Sequence, residues 1–226
     1  MVYQNCVVVA VTGGMGCGQT TVCKFLEKMG ARVINADKVA KLEIEHNDVI
    51  KKELKKDFGF RILYRNGQLN RKYLAKLAFS DPAKTTRLNR IVHPYMVGRI
   101  VTMIEEARDS RKHAVIAVDA ALIYELSLEH MFDAVVVVSS RMPDRIERIR
   151  ARDKLSENEI IDRINRQLPI EEKVKWADFV IRNNKDLELL EKNSRRLYHQ
   201  LEKLAQKKSR QRQHYWPRPE KTVVTS

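Results

Sequence analysis

Val7–Gly30 reads VVVAVTGGMGCGQTTVCKFLEKMG. Val7, Val8, Val9 and Val11 form a β-branched apolar run of strand length with no polar alternation. That is the pattern of a strand covered on both faces, as in a parallel sheet. Gly13, Gly14, Gly16 and Gly18 then fall within six residues. Thr20 and Thr21 open a helix whose apolar residues Val22, Phe25, Leu26 and Met29 recur at helical spacing. Gly30 closes it, in the place where a helix C-terminus favours glycine.

Gly13–Thr20 spells GGMGCGQT, one residue away from the phosphate-loop pattern G-x-x-x-x-G-K-[ST]. Glycines let successive backbone N–H groups turn toward one anion, and the helix N-terminus adds the positive end of its dipole. The Thr20 hydroxyl is the expected Mg²⁺ ligand of such a loop. Gln19 stands where the pattern has lysine; it can donate hydrogen bonds but brings no charge to the β- and γ-phosphates. A glycine-rich turn that binds nothing is the alternative, and the strand before and helix after the loop weigh against it.

Beyond this stretch, strands and helices alternate, which predicts a parallel sheet flanked by helices. Arg32–Asn35 (RVIN) is a short strand, and Asp37 follows its carboxyl end. It would lie beside the glycine-loop strand if the two strands are neighbours, at the edge where open α/β sheets bind ligands. A carboxylate there can accept a proton from an attacking hydroxyl, although it can also serve only as a helix N-terminal residue. From about residue 40 to 110 the pattern is helical, without strands. Asn66-Gly67 marks a turn, Asn70 a helix cap, and His93-Pro94 a break or kink before a further helix, Tyr95–Arg108. His113–Ala120 (HAVIAVDA) is a strand with Asp119 at its carboxyl end, the place of a carboxylate that orders Mg²⁺. Phe132–Ser139 (FDAVVVVS) is the most apolar strand. Pro143 then opens a helix bearing Arg145, Arg148, Arg150 and Arg152, and Ser156–Glu159 is a capping box before a helix with Arg163 and Arg166. This arginine-rich pair, about residues 143–168, suits a lid over phosphates; a solvated basic face is the alternative. Phe179–Ile181 is a last short strand, ended by Asn183-Asn184. A final helix from about Asp186 carries Leu187, Leu190, Leu197, Leu201 and Leu204 on one stripe.

The chain has 226 residues with a formal net charge of +14 and 43% hydrophobic content. That size allows one α/β domain with an insertion, and the charge points to anionic partners. Cys6, Cys17 and Cys23 form no C-x-x-C pair, which argues for a reducing compartment. The N-terminal apolar run is too short for a signal peptide or a membrane span, so the expectation is a cytoplasmic protein with no membrane partner. The segment 207–226 is basic and proline-broken. It reads as a tail without fixed structure after a domain covering 1–206. Arg210, Arg212, Tyr215 and Trp216 offer charge and stacking to a nucleic acid, against the simpler reading of a solvated tail.

Taken in order from about Val7 to Leu204, these motifs resemble the dephospho-CoA kinase family, whose members phosphorylate the ribose 3′-hydroxyl of dephospho-CoA with ATP in the last step of coenzyme A biosynthesis. The resemblance rests on TGGMGCGQTTV, VINAD, VHP, DAALIYE, FDAVVVV, ARDKLSENE with RINRQ, and ADFVIRNN. It implies a P-loop kinase-like parallel sheet flanked by helices, with a helical substrate-binding insertion and a helical lid. It implies ATP and Mg²⁺ as cofactors and dephospho-CoA as the small-molecule partner. Asp37 matches the family's base. Gly14, Gly16, Cys17, Gly18, Gln19, Thr20 and Thr21 match the ATP phosphate loop, with Arg148 and Arg152 in the lid. Asn183, with Asn184, matches the adenine side. His93, Pro94, Leu122 and Glu125 match the segments lining the substrate, and Thr20 with Asp119 the metal site. The chain departs from the family pattern at Gln19 (Lys), Asn35 (Asp), Ala121 (Pro) and Ser139 (Asp). Gln19 is the departure with chemical consequence: it favours either a weakened kinase or, as the alternative, a catalytically inactive nucleotide- or CoA-binding pseudokinase with a regulatory or structural role.

Overall fold

The apolar runs read from the sequence become the centre of a sheet. The structure, a computed structural model, describes residues 5–210 and 222–224. Strand β1 (Val7–Gly13) is buried at every position. It pairs in parallel with β3 (Val115–Asp119) on one side and with β4 (Ala134–Ser139) on the other. Outside β3 lies β2 (Arg32–Asn35); outside β4 lie β5 (Phe179–Arg182) and then β6 (Thr222–Val224). In the order β2-β3-β1-β4-β5-β6, β3 stands between β2 and β1, so the condition under which Asp37 would lie beside the glycine-loop strand is not met. β3 is buried along its whole length, whereas β2 begins with exposed Arg32 and is only partly covered. A strand apolar on both faces belongs inside the sheet and a half-polar one nearer its edge.

Two aspartates fix the start of the central strands. Asp133, just before β4, accepts from the Val8 N–H at 2.8 Å and returns its own N–H to the Val8 carbonyl. Asp178, just before β5, does the same with Val135. Each carboxylate satisfies a donor that the parallel ladder leaves open at its amino end. Lys208 closes an ion pair on Asp133 at 2.7 Å.

Helices cover the sheet. α1 (Gln19–Lys28) buries Val22, Cys23, Phe25 and Leu26. α9 (Leu187–Arg210) packs against α1, β1, β3 and β5 through Leu190, Leu197, Leu201 and Leu204. Leu187, expected on that stripe, is 62% exposed at the first turn. The helix continues through Arg210 and β6 pairs with β5, so part of the segment expected to lack structure has it. Arg212, Tyr215 and Trp216 lie outside the described residues. No helix among the described residues is long and apolar enough to cross a membrane.

The chain divides into two compact units, Met1–Ile34 with Ile104–Ser226, and Asn35–Met103. The second holds α2 (Ala36–His46), α3 (Asp48–Phe58), α4 (Arg71–Ala78) and most of α5 (Pro82–Ser110). Its core gathers Ile50, Leu54, Ile62, Leu74, Ala78, Leu88, Ile91 and Val92. The Asn66-Gly67 turn closes a bridge between Leu63 and Leu69, and Asn70 caps α4 by accepting from the Tyr73 N–H at 3.1 Å. Of the break or kink expected at Pro94, the break does not occur: α5 continues through it. Proline removes one helical hydrogen bond and crowds the carbonyl four residues back. Here Ile91 and Val92 before it and Met96 and Ile100 after it are all buried, and that packing outweighs the local cost.

Candidate active site

All parallel strands of the first unit point their carboxyl ends at one edge. The register places Asp119 opposite Val11, and Gly13 opposite Val138. The loop Gly14–Gly18, Asp119, Ser140 and Asn183 therefore share that edge, where the crevice of an open α/β sheet takes ligands. Gly18 precedes α1 with φ of 92°, and Gly16 has φ of 80°. Both values are left-handed, and a side chain at Gly18 would also run into the Asn183 amide. Beyond Gly18, the N–H groups of Gln19 and Thr20 begin the helix and have no intrahelical acceptor by geometry. That leaves them as donors for an anion, with the helix dipole behind them.

The loop is held from several sides. The Asn183 amide donates to the Cys17 carbonyl at 2.9 Å, and its backbone N–H donates to the Ser139 carbonyl. Arg148 donates to the Gly16 carbonyl at 3.4 Å, to Ser140 Oγ at 3.1 Å and to the Asn183 carbonyl at 3.0 Å. The Met15 N–H donates to Gln167 Oε1 at 2.8 Å, and its carbonyl accepts from Arg145 Nε at 2.8 Å. The Met15 side chain packs on a small core of Ile149, Ile160 and Ile164. That core joins α6 (Met142–Asp153) to α7 (Glu157–Asn165), the expected lid pair, and the capping box at Ser156 starts α7 as the sequence indicated. Cys17 is fully buried, and burial pushes its thiol pKa up, against the Arg145 charge, which pulls it down. Burial and the nearby Asp119 carboxylate raise Cys23 well above the ordinary range. Both thiols are inert structural groups.

Gln19 meets Asp119 directly: its side-chain N–H donates to Asp119 Oδ1. Asp119 is 4% exposed. The amide thus supplies a hydrogen bond to a buried carboxylate, where a lysine would supply a hydrogen bond and a charge. Thr20 is exposed at the helix start. A hydroxyl and a carboxylate are hard oxygen donors, of the kind Mg²⁺ accepts beside phosphate oxygens. Among the described residues no group of three or more His, Cys, Asp or Glu side chains could hold a metal alone.

The remaining expected residues divide between the two units. Arg152 is exposed on the last turn of α6 and pairs with its neighbour Asp153 at 2.7 Å, which lowers the Asp153 pKa. Leu122 and Glu125 lie in the turns after β3. Glu125 forms an ion pair at 2.6 Å with Lys173 of α8 (Ile170–Trp176), and it accepts from the Leu168 N–H at 3.1 Å. Lys173 is 0% exposed and also donates to the Ala121 carbonyl. The geometry of Glu125, half-buried itself, is that of a structural partner to a fully buried lysine. Removing one member of a buried pair leaves the other charge uncompensated, at a cost of about 3–5 kcal/mol. Lys173→Met is therefore expected to lose that much stability in urea unfolding, and Lys173→Met with Glu125→Leu to recover most of it. A single variant as stable as the native chain would contradict this account.

Asp37, His93 and Pro94 belong to the second unit. Asp37 is exposed in the first turn of α2. Asn35 caps that helix by accepting from the Lys38 N–H at 2.8 Å, so the Asn-for-Asp departure keeps a residue equally suited to the cap. Pro94 is exposed and His93 half-buried on α5. Burial pulls the His93 pKa below the ordinary imidazole value. The unfolded chain then takes up a proton before the folded one does. Stability held above about pH 6.5 is lost as the pH falls from there toward the depressed folded value. Urea midpoints from pH 7 to pH 5 should fall more steeply for the native protein than for His93→Gln. The difference is at most about 1.4 kcal/mol per pH unit, the limit for one proton; equal slopes would contradict it.

Arg145, Gln167 and Lys173 were not singled out as site residues by sequence reasoning. Arg145 stands one turn before buried Ile149, and Lys173 one turn after buried Ile170. That spacing was the available sign that these two cations face inward.

Comparison with known proteins follows the same outline. Residues 7–188 match the family model described as Dephospho-CoA kinase. A dephospho-CoA kinase of Fusobacterium nucleatum is 34% identical over 189 residues, covering 84% of this chain and 95% of the relative. One of Salinibacter ruber is 36% identical over 188 residues, covering 83% and 94%. Among solved structures, TT1252 from Thermus thermophilus superposes with a TM-score of 0.71 at 30% identity, covering 87% of this chain and 98% of that one. The dephospho-CoA kinase from Campylobacter jejuni gives a TM-score of 0.67 at 25% identity, covering 87% and 97%.

Proposed function

The chain belongs to the dephospho-CoA kinase family, and from that premise we propose that it transfers the γ-phosphoryl group of ATP to the ribose 3′-hydroxyl of dephospho-CoA, with Mg²⁺ as its metal. What supports this most is the convergence, at one sheet edge, of the glycine loop, the start of α1, Asp119 and Arg148. That is the equipment of phosphoryl transfer, in which positioning and charge neutralisation do most of the work.

In this reading the backbone N–H groups of the glycine loop and of Gln19 and Thr20 at the start of α1 bind the ATP phosphates, while those of Cys17 and Thr21 donate to the Gly14 and Gly18 carbonyls. Arg148 and Asn183 hold the loop in the conformation that presents them. Asp37 accepts the proton of the 3′-hydroxyl as its oxygen attacks the γ-phosphorus, and ADP leaves in line. Thr20 and Asp119 would hold Mg²⁺, which would supply neutralisation of the phosphate charge. Gln19 orders Asp119 and donates one uncharged hydrogen bond, so turnover is slow for the family. Leu122 and the His93–Pro94 turn of α5 contribute to the acceptor side, and Arg152 to the lid.

The test is product identity. Incubation with ATP, Mg²⁺ and dephospho-CoA should yield a product heavier by one phosphoryl group that co-elutes with coenzyme A, and no such product from 3′-deoxy-dephospho-CoA. Tight ATP binding with no product would favour the second reading, a nucleotide-binding protein without catalysis. The Gln19–Asp119 hydrogen bond is the observation on its side, because it engages the side chain that would otherwise meet the phosphates.

A further inference from the structure

We propose that Arg145 is a positioning residue for the phosphate loop, and that its buried guanidinium supplies from beneath the loop the positive field that Gln19 does not supply from within it. The inference rests on the reading of this loop as a nucleotide site. It begins from how α6 and its N-cap residue, Arg141, distribute their arginines. Arg141, Arg150 and Arg152 are exposed and pair with Asp144, Glu157 and Asp153. Arg145 and Arg148 face the loop instead, and among the described residues neither forms an ion pair with a carboxylate.

Arg145 is 3% exposed. Its Nε donates to the Met15 carbonyl at 2.8 Å. A terminal guanidinium nitrogen comes within 2.7 Å of where a Cβ on Gly14 would stand, so the guanidinium lies directly against this glycine. Its backbone carbonyl closes on Gly16 in the same way, at 2.9 Å. The charge lies against the glycines themselves, near enough that it lowers the Cys17 thiol pKa against the effect of burial. A buried cation without a counter-ion is costly, and arginine cannot shed its proton to escape that cost. Such an arrangement is complementary to an anion carried on the loop. A polyphosphate there would meet that positive field from below. The Met15 carbonyl explains one hydrogen bond of this side chain; it does not explain why an unpaired charge is buried under a loop that lacks its own.

The experiment measures nucleotide binding by calorimetry without acceptor, on the native protein, Arg145→Met, Arg145→Gln and Arg145→Lys, each also combined with Gln19→Lys. Arg145→Met keeps an apolar stem, and replacing a buried charge by an apolar group commonly leaves the fold as stable. Circular dichroism and melting verify folding of each variant. The neutral variants are expected to weaken ATP about tenfold or more and AMP less than about twofold. Arg145→Lys should stay within about threefold of native for ATP. With lysine at position 19, the ATP loss from Arg145→Met should shrink to about threefold or less, because the two charges serve one field. Equal losses for ATP and AMP, a lysine no better than methionine, or a loss undiminished by Gln19→Lys would each overturn the proposal. A native protein that binds ATP with Arg145→Met unaffected overturns this inference alone. A native protein that binds neither ATP nor ADP overturns the nucleotide reading and this inference with it.

Discussion

Asp37→Asn is expected to lower kcat for dephospho-CoA phosphorylation by about 10²–10⁴, the usual contribution of a positioned general base, while ATP affinity changes by less than about twofold. Asn is nearly isosteric and keeps a polar group in the first turn of α2, but it carries neither the negative charge nor the capacity to take a proton. Asp37 follows the end of β2 by two residues and is exposed, with Asn35 already filling the capping position. The competing account makes Asp37 a first-turn anion that favours the helix dipole. It predicts a different result: a stability loss of about 0.3–1 kcal/mol and no selective loss of kcat. Steady-state kinetics beside urea unfolding separates them. A variant that turns over at the native rate would remove Asp37 from the chemistry.

Gln19→Lys is expected to act in the opposite direction, raising kcat by about 10²–10³, the scale of one preorganised transition-state contact. The native amide already reaches Asp119, so the side chain at this position extends along the loop toward the buried carboxylate. A lysine of similar reach would pair with Asp119 in the empty site and place its charge on the β- and γ-phosphates once nucleotide is bound. The gain should appear in kcat more than in KM, because the charge is most needed as the γ-phosphoryl group transfers. Gln19→Met, with no donor at all, should lower turnover below native and leave Asp119 without its amide partner. If lysine and methionine gave the same rate, position 19 would not act on the transferred group.

Much of this architecture was legible because it depends on local rules. A β-branched run, clustered glycines and a helical apolar stripe gave β1, the loop and α1 with little ambiguity. The capping box at Ser156 and the cap at Asn70 are short-range hydrogen bonds, readable from residue type and spacing. What escaped depended on tertiary packing. No pattern within Arg32–Asn35 states that β3 will intervene between it and β1. Pro94 signals a break, but buried apolar residues on both sides of it hold α5 continuous. The aspartates at 133 and 178 reveal their role only when the neighbouring strands stand beside them. In the candidate site, the glycine loop, Asp119 and Arg148 lie at one sheet edge, the Asn183 amide donates to the Cys17 carbonyl, and Glu125 pairs with Lys173. Arg145 and Lys173 were hidden because a charge on a helix is ordinarily assigned to solvent; only their spacing from buried isoleucines marked them otherwise.

The account turns on whether a phosphate loop with glutamine at position 19 still transfers phosphate. The most direct measurement is a single-turnover assay with enzyme in excess over dephospho-CoA at saturating ATP and Mg²⁺, following coenzyme A formed by the native protein and by Gln19→Lys. The account predicts that the native protein forms coenzyme A to completion, at a rate about 10²–10³ below that of the lysine variant. A native protein that binds ATP yet forms no coenzyme A while Gln19→Lys does would contradict it, and would make the chain a nucleotide-binding member of a kinase family without the activity.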